Sequence, residues 1–167
     1  MMQTDVKSGH LNNSGFVVLG RNRLKAVSMV GTATAGTLDI FDTITAPVAA
    51  TYERASTLIT VTKSAHGLVT GNVVGLTFAT ASGSSGTNGN YTITRLTANT
   101  FTVTDINSGT IAASTVAAYS SRWLASYDIG AGDLFGNFVL IPGEGMLVEN
   151  GIYLSMSNIT SANVYYG

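Results

Sequence analysis

Cysteine is absent from this chain of 167 residues. Its absence excludes disulfides, thiolate metal sites and cysteine nucleophiles together. Charge is scarce as well: 10% of residues are Asp, Glu, Lys or Arg, against about a quarter in ordinary soluble domains. The net charge of −1 leaves no global field to attract nucleic acid, so no direct nucleic-acid readout is expected. No apolar run approaches the ~20 residues of a membrane-crossing helix, and no membrane span is expected. The opening MMQTDVKSGHLNNSG lacks the basic start and apolar core of a secretion signal. Without an export signal, the N-x-S/T triplets at Asn12, Asn90 and Asn158 read as chance matches.

What is present is apolar, Thr/Ser-rich and rich in glycine. Disorder requires low hydrophobicity with high charge, and a chain with 45% apolar residues and little charge has neither. Two readings fit such a composition. One is a neutral β protein covered by Thr and Ser and soluble alone; the other is a chain that buries much of its surface against copies or partners.

Period-two alternation dominates the chain, and no stretch of ten residues shows helical apolar spacing, so the expected class is all-β. Residues 1–14 read as a polar arm. GFVVLG (15–20) reads as a short buried strand. In RLKAVSMV (23–30), Leu24, Ala26, Ser28 and Val30 alternate with Arg23, Lys25, Val27 and Met29. TLDIFDTI (37–44) alternates again, Pro47 interrupts regular structure, and VAATYERAS reads as a linker. Between about 56 and 105 lie TLITVTK, a turn with Gly67 and Gly71 available for positive φ, NVVGLTF, and the hairpin NYTITRL/NTFTVTD. The Ser/Gly/Thr/Asn segment 79–90 reads as a surface loop. Near the end, Asn150-Gly151 separates two strand-like runs, the strongest short hairpin signal.

This organisation predicts a discontinuous outer domain, 1–50 plus 123–167, and an inserted β module, 51–122. Residues 51–122 hold four basic and two acidic residues, while the remainder holds four basic and seven acidic. That asymmetry is too small for a nucleic-acid footprint.

The candidate chemistry is thin. His66 beside Ser64 has no neighbouring acid and no nucleophile elbow, so its expected role is to bond backbone in its own turn. Segment 31–36 has the length of a phosphate loop but lacks its Gly-Lys-Ser/Thr ending. Asp128, Asp133 and Glu144 sit among glycines but lack the D-x-D-x-D-G calcium pattern. A glycosidase pair cannot be picked among nine acids, because carboxylate separation is a three-dimensional quantity. Neither a cofactor nor a catalytic residue is assigned. Arg21, Arg23 and Lys25 make a small basic cluster, read either as a solvated strand face or as a docking patch for an acidic surface. Phe135, Phe138, Tyr153, Tyr165 and Tyr166 cluster towards the C-terminus, as core or as interface anchors. The expected partner-contacting set is Lys7, Arg21, Arg23, Lys25, Phe138, Tyr153, Tyr165 and Tyr166.

The central stretch carries a specific skeleton: His66-Gly67-Leu68, Gly71, Val73-Val74, Asn88-Gly89, Tyr91, Thr97, Thr100 and Phe101. It resembles a small β module that recurs in virion structural proteins of tailed phages. The ends, MQTDVKSGHLNNSG with RLKAV and LIPGEGMLVENGIYLSMSNITSANVYYG, are similar to short β proteins from virions of short-tailed marine phages. The resemblance implies an antiparallel β-sandwich or jelly-roll-like domain, with the module inserted in a turn after Phe41-Asp42 and the return beginning at Asp128. In the module it implies that His66, Gly67, Leu68, Gly71, Gly89, Tyr91 and Phe101 form turn and core. It further implies a non-catalytic virion protein, assembled in the host cytoplasm, whose partners are copies of itself and neighbouring tail, adaptor, fibre or capsid proteins. A tail-associated ring or accessory role is favoured, a capsid decoration protein is the alternative, and a module binding a host receptor or surface glycan is a further one.

Overall fold

In the computed structural model residues 5–79 and 84–167 are described, 112–116 by backbone alone. Residues 1–4 of the expected arm and 80–83 of the expected surface loop lie outside the described residues. Among the described residues every regular element is a strand, and the sheets are antiparallel. In chain order these are β1 (Lys7–Leu11), β2 (Gly15–Leu19), β3 (Asn22–Gly31), β4 (Gly36–Asp42), β5 (Val48–Thr62), β6 (Val73–Phe78) and β7 (Gly89–Thr92). There follow β8 (Thr94–Arg95), β9 (Thr100–Ser120), β10 (Trp123–Ile129), β11 (Asn137–Leu140), β12 (Met146–Val148), β13 (Gly151–Ser157) and β14 (Ile159–Tyr166). The chain forms two compact units, Met1–Ala46 with Ala125–Gly167, and Pro47–Leu124.

The outer unit is built from two sheets. One runs β1-β14-β3-β11, with β12 also on β3; the other runs β10-β4-β13-β2. Alternation supplies their inner faces: Val27 and Met29 on β3, Leu38 and Ile40 on β4, Ile152 and Leu154 on β13, and Val164 on β14 are all buried. Ala26 is buried too, although it shares the opposite face of β3 with Ser28. Its cross-strand neighbours explain this, because Tyr165 and Leu140 flank the small side chain on either side. Strand β2 was expected to be buried but is the edge of its sheet, only half-covered, with Leu19 exposed.

Asn150-Gly151 does not close a hairpin. β12 pairs with β3 in the first sheet, whereas β13 pairs with β4 and β2 in the second. The dipeptide is therefore a corner that carries the chain between sheets. The buried Asp42 carboxylate holds that corner, accepting the N–H groups of Glu149 (3.0 Å), Asn150 (2.8 Å) and Gly151 (3.3 Å). Gly151 is needed for space and not for backbone conformation: a Cβ there would lie 2.9 Å from the carbonyl oxygens of Thr43 and Val18.

The second unit leaves after β4 and returns in β10, and these two strands are neighbours in one sheet. Segment 48–56, VAATYERAS, is expected to be a linker but begins the long strand β5, which pairs with β9 from Val48↔Tyr119 to Thr62↔Thr100. Residues 109–120, rich in small side chains, continue β9. Bulges between Tyr52 and Arg54 and between Ser56 and Leu58 bend this pair. β6 joins the far end of β9, β7 adds to β6, and β8 joins the near end, so the sheet curls into a nearly closed barrel. Tyr52, Ile59, Leu76, Phe78, Ile93 and Phe101 fill it. Leu96 is 57% exposed because it lies past β8 in the turn to β9.

Candidate functional site

The module's signature residues are committed to structure. Gly67 and Gly71 take φ of 70° and 95°, in the left-handed region that favours glycine. His66 sits in the turn between β5 and β6. Its Nδ1 accepts the Leu68 N–H at 3.0 Å, so Nε2 carries the proton and donates to the Thr97 carbonyl at 3.2 Å. The ring stands edge-on to Phe101 at 5.3 Å, and Phe101 is fully buried. Both ring nitrogens are thus engaged with backbone. Leu68 and Tyr91 pack against the barrel core, and Gly89 faces Leu76 across the β6–β7 pair. The Tyr91 hydroxyl donates to the Thr87 carbonyl. Burial, with the Asp105 charge adding to it and Arg54 opposing, pushes that phenol up to about 12.

The largest concentration of polar interactions in the module is at Arg54 and Asp105. Their side chains are 1% and 0% exposed and meet at 3.2 Å. Arg54 also donates to the carbonyls of Ser56 (3.0 Å), Ser84 (3.0 Å), Ser85 (2.6 Å) and Asn107. Asp105 accepts the N–H groups of Thr87 (2.9 Å) and Asn107 (3.3 Å). Burial alone would raise the Asp105 carboxyl. These backbone N–H groups, with the guanidinium adding to them, outweigh it and hold the carboxyl below its usual range. The Thr87 side chain bonds the carboxylate as well and the remaining bonds go to backbone, so the pair is a clamp on residues 84–87. Those residues were expected on the open surface; they are half-buried, and Asn88 accepts the Phe78 N–H through its side-chain oxygen. Period two carries the signal for the pair: Arg54 is in phase with Tyr52, and Asp105 with Phe101 and Val103.

Each member of the basic cluster bonds within its own unit. Arg21 pairs with Glu149 at 3.3 Å and Arg23 with Glu144 at 3.1 Å, and Lys25 donates to the Glu144 carbonyl at 2.7 Å. Asp128 accepts the Thr37 hydroxyl and Asp133 the Asn137 side-chain amide. Among the described residues no three His, Asp or Glu side chains converge as a metal site. A shallow depression beside Ala49, Ala50, Thr62 and Lys63 holds no acid and no histidine.

The structure gathers most of the expected contact residues into one sheet. Lys7 lies opposite Tyr166, Tyr165 opposite Ala26, and Phe138 opposite Ser28; Phe138 and Tyr165 meet edge-on at 5.9 Å. Tyr153 is elsewhere, on β13 in the other sheet, edge-on to Phe16 at 4.9 Å. At the β11 edge four large apolar side chains face water: Leu134 (57% exposed), Phe135 (97%), Phe138 (61%) and Leu140 (69%). Leu134 and Leu140 carry no sequence signal of exposure, since leucine is ordinarily core. Exposed large apolar side chains gathered along one sheet edge are the kind of surface that marks interaction sites. No family model, curated protein or solved structure matches the chain.

Proposed function

We propose that this chain is a non-catalytic structural protein of a tailed-phage virion, a tail-associated ring or accessory component that assembles with its own copies and bridges neighbouring virion proteins. The observation that carries the assembly half of the reading is the apolar edge at Leu134, Phe135, Phe138 and Leu140, on a chain whose surface has little charge to keep neighbours away. The phage half rests on the sequence skeleton from His66 to Phe101 and on the similar chain ends. The engagement of His66 and Asp105 with backbone favours structure over turnover. Quantitative mass spectrometry of purified particles tests the proposal. About a dozen copies per particle fits a ring or tail accessory, hundreds would move it to the capsid surface as decoration, and absence from particles would sink it. Glycan binding by a compact monomer would instead favour the receptor-binding reading.

A further inference from the structure

The geometry points to β11 as a self-pairing edge, at which two copies of this chain join antiparallel strands about a twofold axis and fuse their sheets. This rests on the reading that the outer unit assembles with its own copies, and it names the contact.

The two outer sheets end in β1, β11, β10 and β2, with β12 continuing the β11 edge beyond the turn at Pro142, and natural edges are blunted by charge, proline or bulges. β1 carries Lys7 and His10, both exposed. β10 carries the exposed Asp128. β2 is paired through a bulge at Ile152/Tyr153. β11, with sequence NFVL, has no charge and no proline, and its register with β3 is unbroken. Among the described residues it pairs with β3 alone.

The phase of its open backbone is fixed. The Ile141 N–H donates to the Lys25 carbonyl at 2.9 Å, which makes that position a hydrogen-bonded pair of the ladder. Alternation then turns Val139 and Asn137 towards β3 and points the N–H and C=O groups of Phe138 and Leu140 outward. Those residues also carry the exposed side chains of the strand.

A twofold axis at Val139 matches these groups to themselves. Phe138 of one copy would exchange both backbone bonds with Leu140 of the other, and the converse pair would do the same. Each phenyl ring would then lie beside a leucine on the outer face, an aromatic–aliphatic cross-strand pair. No like charges meet. Pairing β11 with the opposite edge of the sheet would instead set this uncharged strand beside one that carries Lys7 and His10. Isologous contacts of this kind are the commonest way in which copies associate. At the axis the two Val139 residues form a non-hydrogen-bonded pair, whose Cα atoms lie about 4.5 Å apart, within disulfide range.

The chain has no cysteine, so Val139→Cys introduces a single thiol. The full-length variant, oxidised under dilute conditions, should form a covalent dimer, whereas Phe138→Cys, displaced along the strand from its own symmetry mate, should cross-link far less. By sedimentation, wild-type protein should dimerise, and Leu140→Lys should weaken dimerisation at least tenfold. Leu19→Lys, on an exposed position of β2, should leave it unchanged. Association that ignores Leu140→Lys and gives no Val139→Cys cross-link would overturn the β11 pairing while leaving assembly intact. A chain that stays monomeric at all concentrations also overturns it, and the composition of virions then decides the assembly reading separately.

Discussion

Arg54 reaches across from β5 to Asp105 on β9, 3.2 Å away, and both side chains are closed off from water. Charges removed from solvent this completely lose hydration that their mutual attraction barely replaces, so the pair is held by its additional bonds. Arg54 supplies four of these to carbonyls, and Asp105 receives two from N–H groups. Removing one partner should cost about 3–5 kcal/mol, because the other is left buried and uncompensated. Arg54→Met and Asp105→Leu should each lower the melting temperature sharply. The double variant should lose less than the two single losses added, and a thermal double-mutant cycle measures the difference. Additive losses would refute the clamp.

Two carboxylates in this chain respond to pH in opposite senses. Hydrogen bonds and Arg54 lower Asp105 despite its burial, so its contribution to stability is present above the unfolded value and is lost as pH falls through the folded one. Asp39 is raised, chiefly by burial, with Asp128 adding to it and the Ser126 hydroxyl opposing. Its contribution is present below the unfolded value and is lost as pH rises through the folded one. Asp39→Asn should therefore stabilise the outer unit at neutral pH and flatten the pH dependence that lies between the unfolded and the raised folded value. Asp105→Asn should destabilise the module and remove part of its acid sensitivity. Melting curves between pH 3 and pH 8 check both signs.

What sequence revealed here was what period two can carry. The all-β class, the alternation of β3, β4 and β5, and the positive-φ glycines of the His66 turn are local properties, written in neighbouring residues. The corner at Asn150-Gly151 was misread because a hairpin and a change of sheet share the same turn chemistry. They differ in a residue more than a hundred positions away, Asp42, which occupies the donors of the turn. The linker reading of 48–56 failed for a related reason: alanines and a buried charge hid the alternation of Ala50, Tyr52 and Arg54. The β11 edge lay beyond sequence altogether, since whether NFVL is central or peripheral depends on sheet order.

The Asp42 corner yields its own prediction. Three N–H donors converge on one buried carboxylate, and Asp42→Ala would leave them without an acceptor in a place that water reaches poorly. Each donor left unsatisfied costs about 1–3 kcal/mol, partly recovered by relaxation of the turn. Asp42→Ala should thus rank among the most damaging single changes in the outer unit, and Asp42→Asn should be milder because one oxygen remains to accept. Hydrogen exchange at Glu149, Asn150 and Gly151 reads the effect directly. Unchanged protection in Asp42→Ala would contradict the role assigned to the carboxylate.

The adjacency of β4 and β10 makes the insertion testable by excision. Each strand pairing of the two outer sheets lies outside 47–122, and each pairing of the barrel lies within it. Joining Ala46 to Ala125 through a few Gly and Ser residues replaces one loop by another between neighbouring strands, and closing a short loop there costs little chain entropy. The shortened chain should keep a strand-dominated circular dichroism spectrum and unfold cooperatively. Its denaturant dependence should be smaller, in proportion to the surface removed. The reciprocal fragment, Pro47–Leu124, has no disulfide and a small core, so it should fold with only marginal stability. Loss of folding in the shortened chain, with the fragment also unfolded, would mean that the two units depend on one another for stability and are not separable pieces of architecture.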